Sequence, residues 1–222
     1  MRRAVLFDLD GTLIDSAPDM HHHLAAVLKK MGRIPISLDE VIDNIGGGAR
    51  KMVTQALEQT GGTGSPDILT STVAEFLALY QQEPARLTKV YPDGRDILQE
   101  LQSEGIVLGL CTNKPRVTAD PVLKSLKLEP YFDFICCGDD VAFQKPDGRH
   151  ILHILDRLNV PTSDAAMVGD SFNDLEAAVD AGVASIMVTY GYDRHILNHP
   201  YLEYTVSGLG EIPGLLKRMS LR

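Results

Sequence analysis

The sequence predicts an α/β fold in which a doubly wound parallel sheet carries an inserted helical cap domain. Short apolar runs, each bounded by polar residues or glycine, alternate along the chain with amphipathic stretches, the order expected when strands and crossover helices build a parallel sheet. The connection between the first two runs spans about 95 residues, whereas a crossover needs only a few dozen. We therefore expect an insertion between the first and second strands.

Five runs are predicted to be buried strands because they are apolar throughout rather than alternating. These runs cover residues 4–8, 106–112, 132–138, 165–170 and 184–191. The amphipathic stretches that separate them predict helices over residues 93–103, 117–126, 148–158 and 175–181. The core is thus expected to hold about five strands flanked by helices.

The insertion has the pattern of four helices, each marked by a start or stop signal. The predicted helices cover residues 18–31, a stretch after the capping-box pair Ser37 and Glu40, residues 49–61, and residues 66–82 after an N-cap at Ser65. We expect two domains, a core domain formed by residues 1–15 and 89–222 and a four-helix cap domain formed by residues 16–88.

Composition narrows the class of protein. A chain of 222 residues with 44% hydrophobic residues can bury a sizeable core. Its net charge of −9 disfavours nucleic acid and anionic lipid surfaces as partners. No apolar run is long enough for a signal peptide or a membrane span, so we expect a cytoplasmic protein, either a monomer or a homodimer. Cys111, Cys136 and Cys137 fit reduced core thiols, with a vicinal redox pair as the alternative.

The first predicted strand ends in a pair of acidic residues. Asp8 and Asp10 are two positions apart, so both project on the same side of an extended chain, and two like charges there favour a bound cation. Gly11 permits a tight turn, which we expect to leave the amides of residues 9–12 free to bind an anion such as phosphate.

Polar groups also follow the later strands, and parallel strands deliver them to one edge of the sheet. Thr112 and Asn113 offer a hydroxyl and an amide for a phosphoryl oxygen, and Lys145 offers a fixed ammonium. Asp170 ends another strand, and Asp174 lies four residues later in the next helix. A ligand set made only of oxygen atoms favours Mg²⁺ over zinc.

These motifs resemble those of the haloacid dehalogenase-like hydrolases, and within them those of phosphoglycolate phosphatases. The resembling stretches include FDLDGTLIDSAPD, CTNKP, GDDVAFQKPD and MVGDSFNDLEAA. The resemblance implies a phosphatase that acts on a small phosphorylated metabolite through an aspartyl-phosphate. It implies Asp8 as nucleophile and Asp10 as general acid and base. It also implies Mg²⁺ bound by Asp8, Asp170 and the Asp10 carbonyl with support from Asp174, and a phosphoryl group held by Thr112, Asn113 and Lys145.

The cap segment contains a glycine run that precedes a predicted helix. Gly46, Gly47 and Gly48 would leave helix N-terminal amides open to an anion, and Arg50 could pair with a substrate carboxylate. The alternative is a flexible loop with Arg50 in solvent. Lys114 is also open to two interpretations, as a phosphate ligand or as a surface residue at the start of a helix.

Four alternatives to a phosphatase can be compared with the sequence, most of them through individual residues. A haloacid dehalogenase lacks the second acidic residue that Asp10 supplies, and a phosphonatase would need a cap lysine, for which Lys51 is the candidate. A sugar phosphomutase shares the chemistry and differs mainly in the cap. A silent binding module would be expected to have lost Asp8, Asp10 or Lys145. Gln144 and Gly148 depart from the resembling pattern, and they bear on the subfamily rather than on the reaction.

Overall fold

A computed structural model of the chain, which describes residues 3–219, contains one six-stranded parallel sheet and one two-stranded antiparallel ladder. The strands are β1 (Ala4–Phe7), β2 (Ile14–Asp15), β3 (Lys89–Val90), β4 (Val107–Cys111), β5 (Phe134–Cys136), β6 (Ala165–Gly169), β7 (Ala184–Val188) and β8 (Tyr204–Val206). The large sheet has the order β5-β4-β1-β6-β7-β8, and β2 pairs with β3. The predicted fold class is therefore confirmed.

Nine α-helices accompany these strands within residues 3–219. They are α1 (Ala17–Lys30), α2 (Leu38–Ile42), α3 (Gly48–Gln59), α4 (Pro66–Gln82), α5 (Gly94–Ser103), α6 (Arg116–Ser125), α7 (Arg149–Leu158), α8 (Phe172–Ala181) and α9 (Ile212–Arg218). Buried apolar residues of α5, α6 and α9 join one core cluster, and those of α7 join a second together with the buried alanines of α8. The sheet is thus covered on both faces, which explains why β1, β4 and β6 are apolar throughout.

The order in which strands are added to the parallel sheet reverses at its central strand, β1. From β1 the chain proceeds outward through β4 and β5, and it then returns to the other side of β1 to add β6, β7 and β8. In register, Phe7 lies between Leu110 of β4 and Val168 of β6. Such a reversal opens a crevice beyond the carboxyl ends of the central strands, where ligands bind in open α/β sheets.

The predicted strands and core helices are present with small shifts at their ends, but four elements were missed, namely the two-residue strands β2 and β3, the strand β8 and the helix α9. The strand β8 is an edge strand of three residues in which only Val206 is buried, so it lacks the continuous apolar run that marked the other strands. The helix α9 has seven residues, too few for a clear periodic pattern. The helix α8 begins at Phe172, three residues earlier than expected, because Asp174 and Ser171 form a capping box there.

The segment between β2 and β3 is helical as predicted, and its local signals are formed. The Ser37 hydroxyl accepts a hydrogen bond from the Glu40 amide (3.3 Å), and the Glu40 carboxylate accepts one from the Ser37 amide (2.7 Å). The Ser65 hydroxyl accepts one from the Ile68 amide (3.3 Å). We refer to residues 16–88 as the cap segment, and its division from the core as a separate domain stays a proposal.

Other sequence expectations concern membranes and cysteines. Within residues 3–219, none of the helices is both long and apolar enough to cross a bilayer. All three cysteines are free and buried, and burial raises the pKa of the Cys136 thiol to about 11 and that of the Cys137 thiol to about 12. Since the thiolate is the reactive form, these cysteines fit core thiols better than a redox pair.

The entry and exit of the cap segment are joined by one buried carboxylate. Asp19, in the first turn of α1, is fully buried. It accepts hydrogen bonds from the Leu87 amide (3.0 Å), the Thr88 amide (2.8 Å) and the Thr88 hydroxyl (2.6 Å). Hydrogen bonds to a charged acceptor are stronger than those between neutral groups. Asp19 therefore fixes the two chain crossings between cap segment and core side by side.

We predict that Asp19→Ala lowers the free energy of unfolding by about 3 kcal/mol, because it leaves buried donors without an acceptor. Urea unfolding followed by circular dichroism measures this change. The matched control is Asp156→Ala, an exposed carboxylate on α7, which should shift the free energy by no more than about 0.5 kcal/mol. Equal unfolding midpoints for the two variants would contradict the role assigned to Asp19.

Candidate active site

The carboxyl edge of the sheet gathers most of the polar residues singled out in the sequence. Asp8 follows β1, Thr112 follows β4 and Asp170 follows β6, and Lys145 reaches the same point from the loop before α7. Each of these four residues is less than 10% exposed. The strand register that places Phe7 between β4 and β6 therefore also brings these groups together.

Lys145 is the central contact of the site. Its Nζ donates to Asp8 Oδ1 (2.7 Å), to Asp174 Oδ1 (2.6 Å) and to the carbonyl oxygen of Cys111 (2.6 Å). Burial by itself would lower the pKa of this ammonium, but the Asp174 and Asp8 carboxylates more than reverse that effect and raise it above its usual value. Lys145 therefore remains charged, and its three protons are all used.

Three buried carboxylates meet beside this ammonium. Asp8, Asp170 and Asp174 each offer an oxygen atom, and these atoms lie within 4.8 Å of one another. Burial raises the pKa of Asp8 to about 7, with Lys145 opposing and Asp174 adding to the rise. Burial together with Asp174 and Asp8 raises the pKa of Asp170 well above its usual value. When all three carboxylates are ionised, they exceed the charge of the one ammonium by two negative charges, which a divalent cation on oxygen ligands would match.

Asp170 and Asp174 differ in the number of hydrogen bonds that their carboxylates accept from the protein. Asp174 Oδ2 accepts from the Asp170 amide (3.2 Å), the Ser171 amide (3.0 Å) and the Ser171 hydroxyl (2.7 Å), while its other oxygen is on Lys145. Both oxygens of Asp174 are therefore already engaged by protein groups. Asp170 is held by the Thr12 hydroxyl (3.2 Å) and the Tyr192 amide (2.7 Å). Of these two carboxylates, Asp170 has the more open coordination.

Asp10 lies at the same edge but contacts a different lysine. Lys114 Nζ donates to Asp10 Oδ1 (3.1 Å) and Oδ2 (3.2 Å), and the Ser16 hydroxyl donates to Oδ1. Lys114 is 6% exposed, so it is not a surface residue. Burial would lower the pKa of its ammonium, but Asp10 and the Tyr80 hydroxyl raise it above its usual value. Sequence reasoning left Lys114 open and gave no indication of its contact with Tyr80.

Thr112 and Asn113 are both buried at this edge, and their side chains differ in what they contact. The Asn113 amide group donates to the Gly46 carbonyl (2.9 Å) and the Lys145 carbonyl (2.8 Å), and its oxygen accepts from the Lys145 amide (3.0 Å). It was expected to hold a phosphoryl oxygen, but its side chain instead holds the Lys145 main chain. The Thr112 hydroxyl accepts from the Lys114 amide (3.2 Å) and retains its own proton to donate.

The turn at Gly11 differs from the sequence expectation. The Gly11 amide donates to the Ile14 carbonyl (2.9 Å) and the Thr12 amide to the Leu9 carbonyl (3.4 Å), so these two amides are not free to bind an anion as predicted. Gly11 is required for another reason. Its φ is +89°, and a Cβ atom there would lie 2.3 Å from Asp170 Oδ2. The missing side chain lets the turn pack against that carboxylate.

The glycine run of the cap segment contacts the site, whereas Arg50 does not. Gly46 and Gly48 line the cleft above Asp8 and Asp10. Gly47 is the N-cap residue of α3 and has no side chain to cap the first amides. Arg50 is exposed and lies outside the set of described residues that line the cleft, as does Lys51. The expected pairing of Arg50 with a substrate carboxylate therefore finds no support, and an imine-forming lysine at Lys51 finds none either.

The wall that the cap segment contributes to the cleft is mainly apolar. The apolar side chains on this wall are Met20, Ile45, Ala49, Met52, Phe76 and Leu77, and Asn44 is a polar side chain on the same wall. Tyr80 also lines the cleft, with its hydroxyl on Lys114 (3.3 Å). Charged groups of the cleft thus lie on the core side, and the cap side presents little that could pair with a polyhydroxylated ligand.

Tyr192 is a residue of the site that sequence reasoning missed. Its amide holds Asp170, and its hydroxyl accepts from the amides of Ser16 (2.8 Å) and Ala17 (3.0 Å) and donates to Asp15 (2.9 Å). Its position four residues after the carboxyl end of β7 was the available indication. Tyr192 links the carboxylate cluster to the chain crossing where α1 begins.

Comparisons with known proteins agree with this geometry. An α/β core with an aspartate, a lysine and an acidic cluster at its carboxyl edge defines the class, and the family described as haloacid dehalogenase-like hydrolase matches residues 5–188. The chain belongs to this family.

The names of individual relatives specify an activity within this family. The chain is 38% identical over 195 residues to a phosphoglycolate phosphatase of Pseudomonas putida, covering 86% of this chain and 71% of that protein. It is 39% identical to a phosphoglycolate phosphatase of Agrobacterium fabrum, with coverages of 84% and 80%. A crystal structure of a predicted phosphoglycolate phosphatase from Haemophilus somnus superposes with a TM-score of 0.89 at 25% identity, over 96% of this chain and 97% of that chain.

We predict that Gly11→Ala lowers the free energy of unfolding by at least about 2 kcal/mol, through its positive φ and through the displaced Asp170 carboxylate. The matched control is Gly105→Ala, where φ is +76° and no atom lies within 4 Å of the added Cβ. It should lose only the backbone contribution, about 1 kcal/mol. Urea unfolding of both variants tests this, and equal losses would show that contact with Asp170 is unimportant.

Proposed function

We propose that the protein is a magnesium-dependent phosphatase that hydrolyses a small phosphate monoester, with 2-phosphoglycolate as the preferred substrate and glycolate and phosphate as products. The observation that carries this proposal is the contact of Asp8 with Lys145 beside the buried cluster of Asp170 and Asp174. That arrangement holds one carboxylate next to fixed positive charge at the edge of the sheet where ligands bind. The names of the relatives support the substrate.

In this reaction Asp8 is the nucleophile. One of its oxygens attacks phosphorus as the bond between phosphorus and the ester oxygen breaks, which leaves an aspartyl-phosphate and an alkoxide. Lys145, 2.7 Å from Asp8, offsets negative charge on the phosphoryl oxygens during the transfer. The Thr112 hydroxyl donates to one of these oxygens. Asn113 acts indirectly, because it fixes the main chain of Lys145 from both sides.

Asp10 is the general acid and base. Its carboxyl group gives a proton to the leaving alkoxide, which is otherwise too basic to depart readily. The resulting carboxylate then takes a proton from the water that attacks the aspartyl-phosphate, so that phosphate is released and Asp8 and Asp10 return to their starting forms. A second carboxylate in this position separates a phosphatase from a haloacid dehalogenase.

The residues fit a magnesium ion. Asp8, Asp170 and the main-chain carbonyl of Asp10 would hold it, and Asp174 would support it by fixing Lys145 and the turn after β6. All these ligands are oxygen atoms, as Mg²⁺ prefers. When bound, the ion offsets charge on the phosphoryl group.

The cap segment favours a small acid as leaving group. Buried polar groups without partners are costly, at about 1–3 kcal/mol each, and the hydroxyls of a sugar phosphate would face the apolar wall that includes Ile45, Met52 and Phe76. Glycolate has a single carboxylate. We assign that carboxylate to the first amides of α3 at Gly48, where the helix N-terminus attracts negative charge. The substrate would then be a small phosphorylated metabolite of the cytoplasm, and the net charge of −9 disfavours nucleic acid and anionic membranes as partners.

We expect phosphate release from 2-phosphoglycolate to exceed that from sugar phosphates and nucleoside monophosphates by at least about tenfold in kcat/KM, because their extra hydroxyls would face a mainly apolar wall. Colorimetric detection of phosphate with magnesium and with a chelator measures this. Asp8→Asn should lower kcat by at least about 10³, since an amide is not a nucleophile.

The matched control for Asp8→Asn is Asp96→Asn, the same chemical change at an exposed position on α5, which should keep wild-type rates. Similar slow release from all esters would retain the phosphatase and reject the substrate. Full activity of Asp8→Asn would reject the mechanism.

Magnesium should stabilise the folded protein, because it binds the carboxylate cluster of the native state alone. At a concentration 100 times its Kd, the gain is about 2.7 kcal/mol, which corresponds to a rise in Tm of roughly 5–10 °C for a chain of this size. Differential scanning fluorimetry without substrate measures the shift. Asp170→Asn removes one carboxylate and should abolish it. A full shift in that variant would place the ion elsewhere.

A further inference from the structure

Tyr80 connects the cap segment to the proposed acid of the reaction. It lies near the end of α4 and is 1% exposed. Among the described residues, its hydroxyl forms no hydrogen bond with Asp8 or Lys145. Its hydroxyl is 3.3 Å from Lys114 Nζ, and the same Nζ lies 4.6 Å from the centre of its ring. Lys114 in turn contacts both oxygens of Asp10. A cap residue and a core carboxylate therefore share one ammonium.

The contacts of Lys114 use the whole capacity of its ammonium. A lysine has three protons to donate, and three acceptors lie within reach, namely the two Asp10 oxygens and the Tyr80 hydroxyl. A buried ammonium with every proton engaged is held in one position. It is therefore suited to orient Asp10 rather than to bind a second anionic group of the substrate.

Asp10 is otherwise held from the side of the cap crossing. Ser16, the residue before α1, donates to Asp10 Oδ1. The orientation of Asp10 thus depends on two neighbours, one at the start of the cap segment and one, Lys114, that is itself fixed by the end of α4. Without the Tyr80 hydroxyl, one proton of the Lys114 ammonium loses its acceptor and the Lys114 side chain is free to rotate. The Asp10 carboxylate, which is bound to this ammonium, then loses its fixed orientation.

We propose that Tyr80 and Lys114 are positioning residues for Asp10, so that protonation of the leaving alkoxide requires the cap segment to be packed on the core. The proposal rests on the proposed function, in which a proton passes from the Asp10 carboxyl to the ester oxygen as the bond to phosphorus breaks. Attack by Asp8 and its contact with Lys145 do not involve Tyr80. A substrate whose leaving group departs without a proton is consequently independent of this arrangement.

The test compares two esters in Tyr80→Phe, which keeps the buried ring and removes only the hydroxyl. With 2-phosphoglycolate, whose leaving alkoxide needs a proton, kcat should fall about tenfold with KM nearly unchanged, a part of the 10²–10⁴ that general acid catalysis contributes. With p-nitrophenyl phosphate, the first-turnover burst of p-nitrophenolate should change by less than about twofold, because this leaving group departs as the anion. Tyr204→Phe, on the exposed edge strand β8, is the matched control and should alter neither rate.

Lys114→Met provides a second variant, and its thermal midpoint and that of Tyr80→Phe are measured first to confirm that both are folded. Lys114→Met should show the same selective loss with the alkyl ester, at least as large. The double variant should lose no more than Lys114→Met alone, because Tyr80 acts through Lys114. Additive losses, or equal losses with both esters, would overturn the proposal.

Failure of the proposed function has a different outcome. If the wild type released phosphate from neither ester, or if Asp8→Asn retained its rate, the hydrolytic mechanism itself would be wrong. If the wild type hydrolysed both esters through Asp8 and Tyr80→Phe matched it on both, only the positioning role would be rejected.

Discussion

The buried ammonium of Lys145 is the contact on which the rest of the site depends. It joins the residue after β1, the end of β4 and the first turn of α8 through Asp8, the Cys111 carbonyl and Asp174. A buried charge is tolerated only when it is paired and hydrogen-bonded, so each acceptor must keep its place for the others to keep theirs. When all three carboxylates are ionised, the same pairing leaves two of their charges unmatched, and the proposed Mg²⁺ would offset them.

The topology explains why these groups meet although they are far apart along the chain. The chain builds one half of the sheet outward from β1 and then returns to build the other half, so the strand ends nearest the reversal belong to the beginning, the middle and the later part of the sequence. The cap segment enters at the same place, between β2 and β3. One carboxylate, Asp19, and one phenol, Tyr192, hold that crossing, the first through the cap segment and the second through the core.

Features determined locally could be predicted from the sequence. The capping box at Ser37 depends on two residues three positions apart, and the strand ends that deliver Asp8 and Asp170 follow from uninterrupted apolar runs. Contacts between distant side chains could not be predicted. Periodicity indicates which face of α4 is buried, but not that Tyr80 meets Lys114 across the boundary with the core. Arg50 is a prediction that local sequence made wrongly plausible. Its position after a glycine run suggested that it binds a substrate carboxylate, but in the first turn of α3 it is exposed to solvent.

The contact between cap segment and core at Gly46 has a consequence for divergence within such a fold. Two core side chains, Asn113 and Asn173, donate to the carbonyl oxygen of Gly46 (2.9 and 3.2 Å). The acceptor is a main-chain atom, which every amino acid possesses. Replacement of the neighbouring side chains on the cleft wall therefore leaves these two hydrogen bonds intact. The cap segment can thus acquire a preference for another leaving group and still remain attached to the core above Asp8 and Asp10.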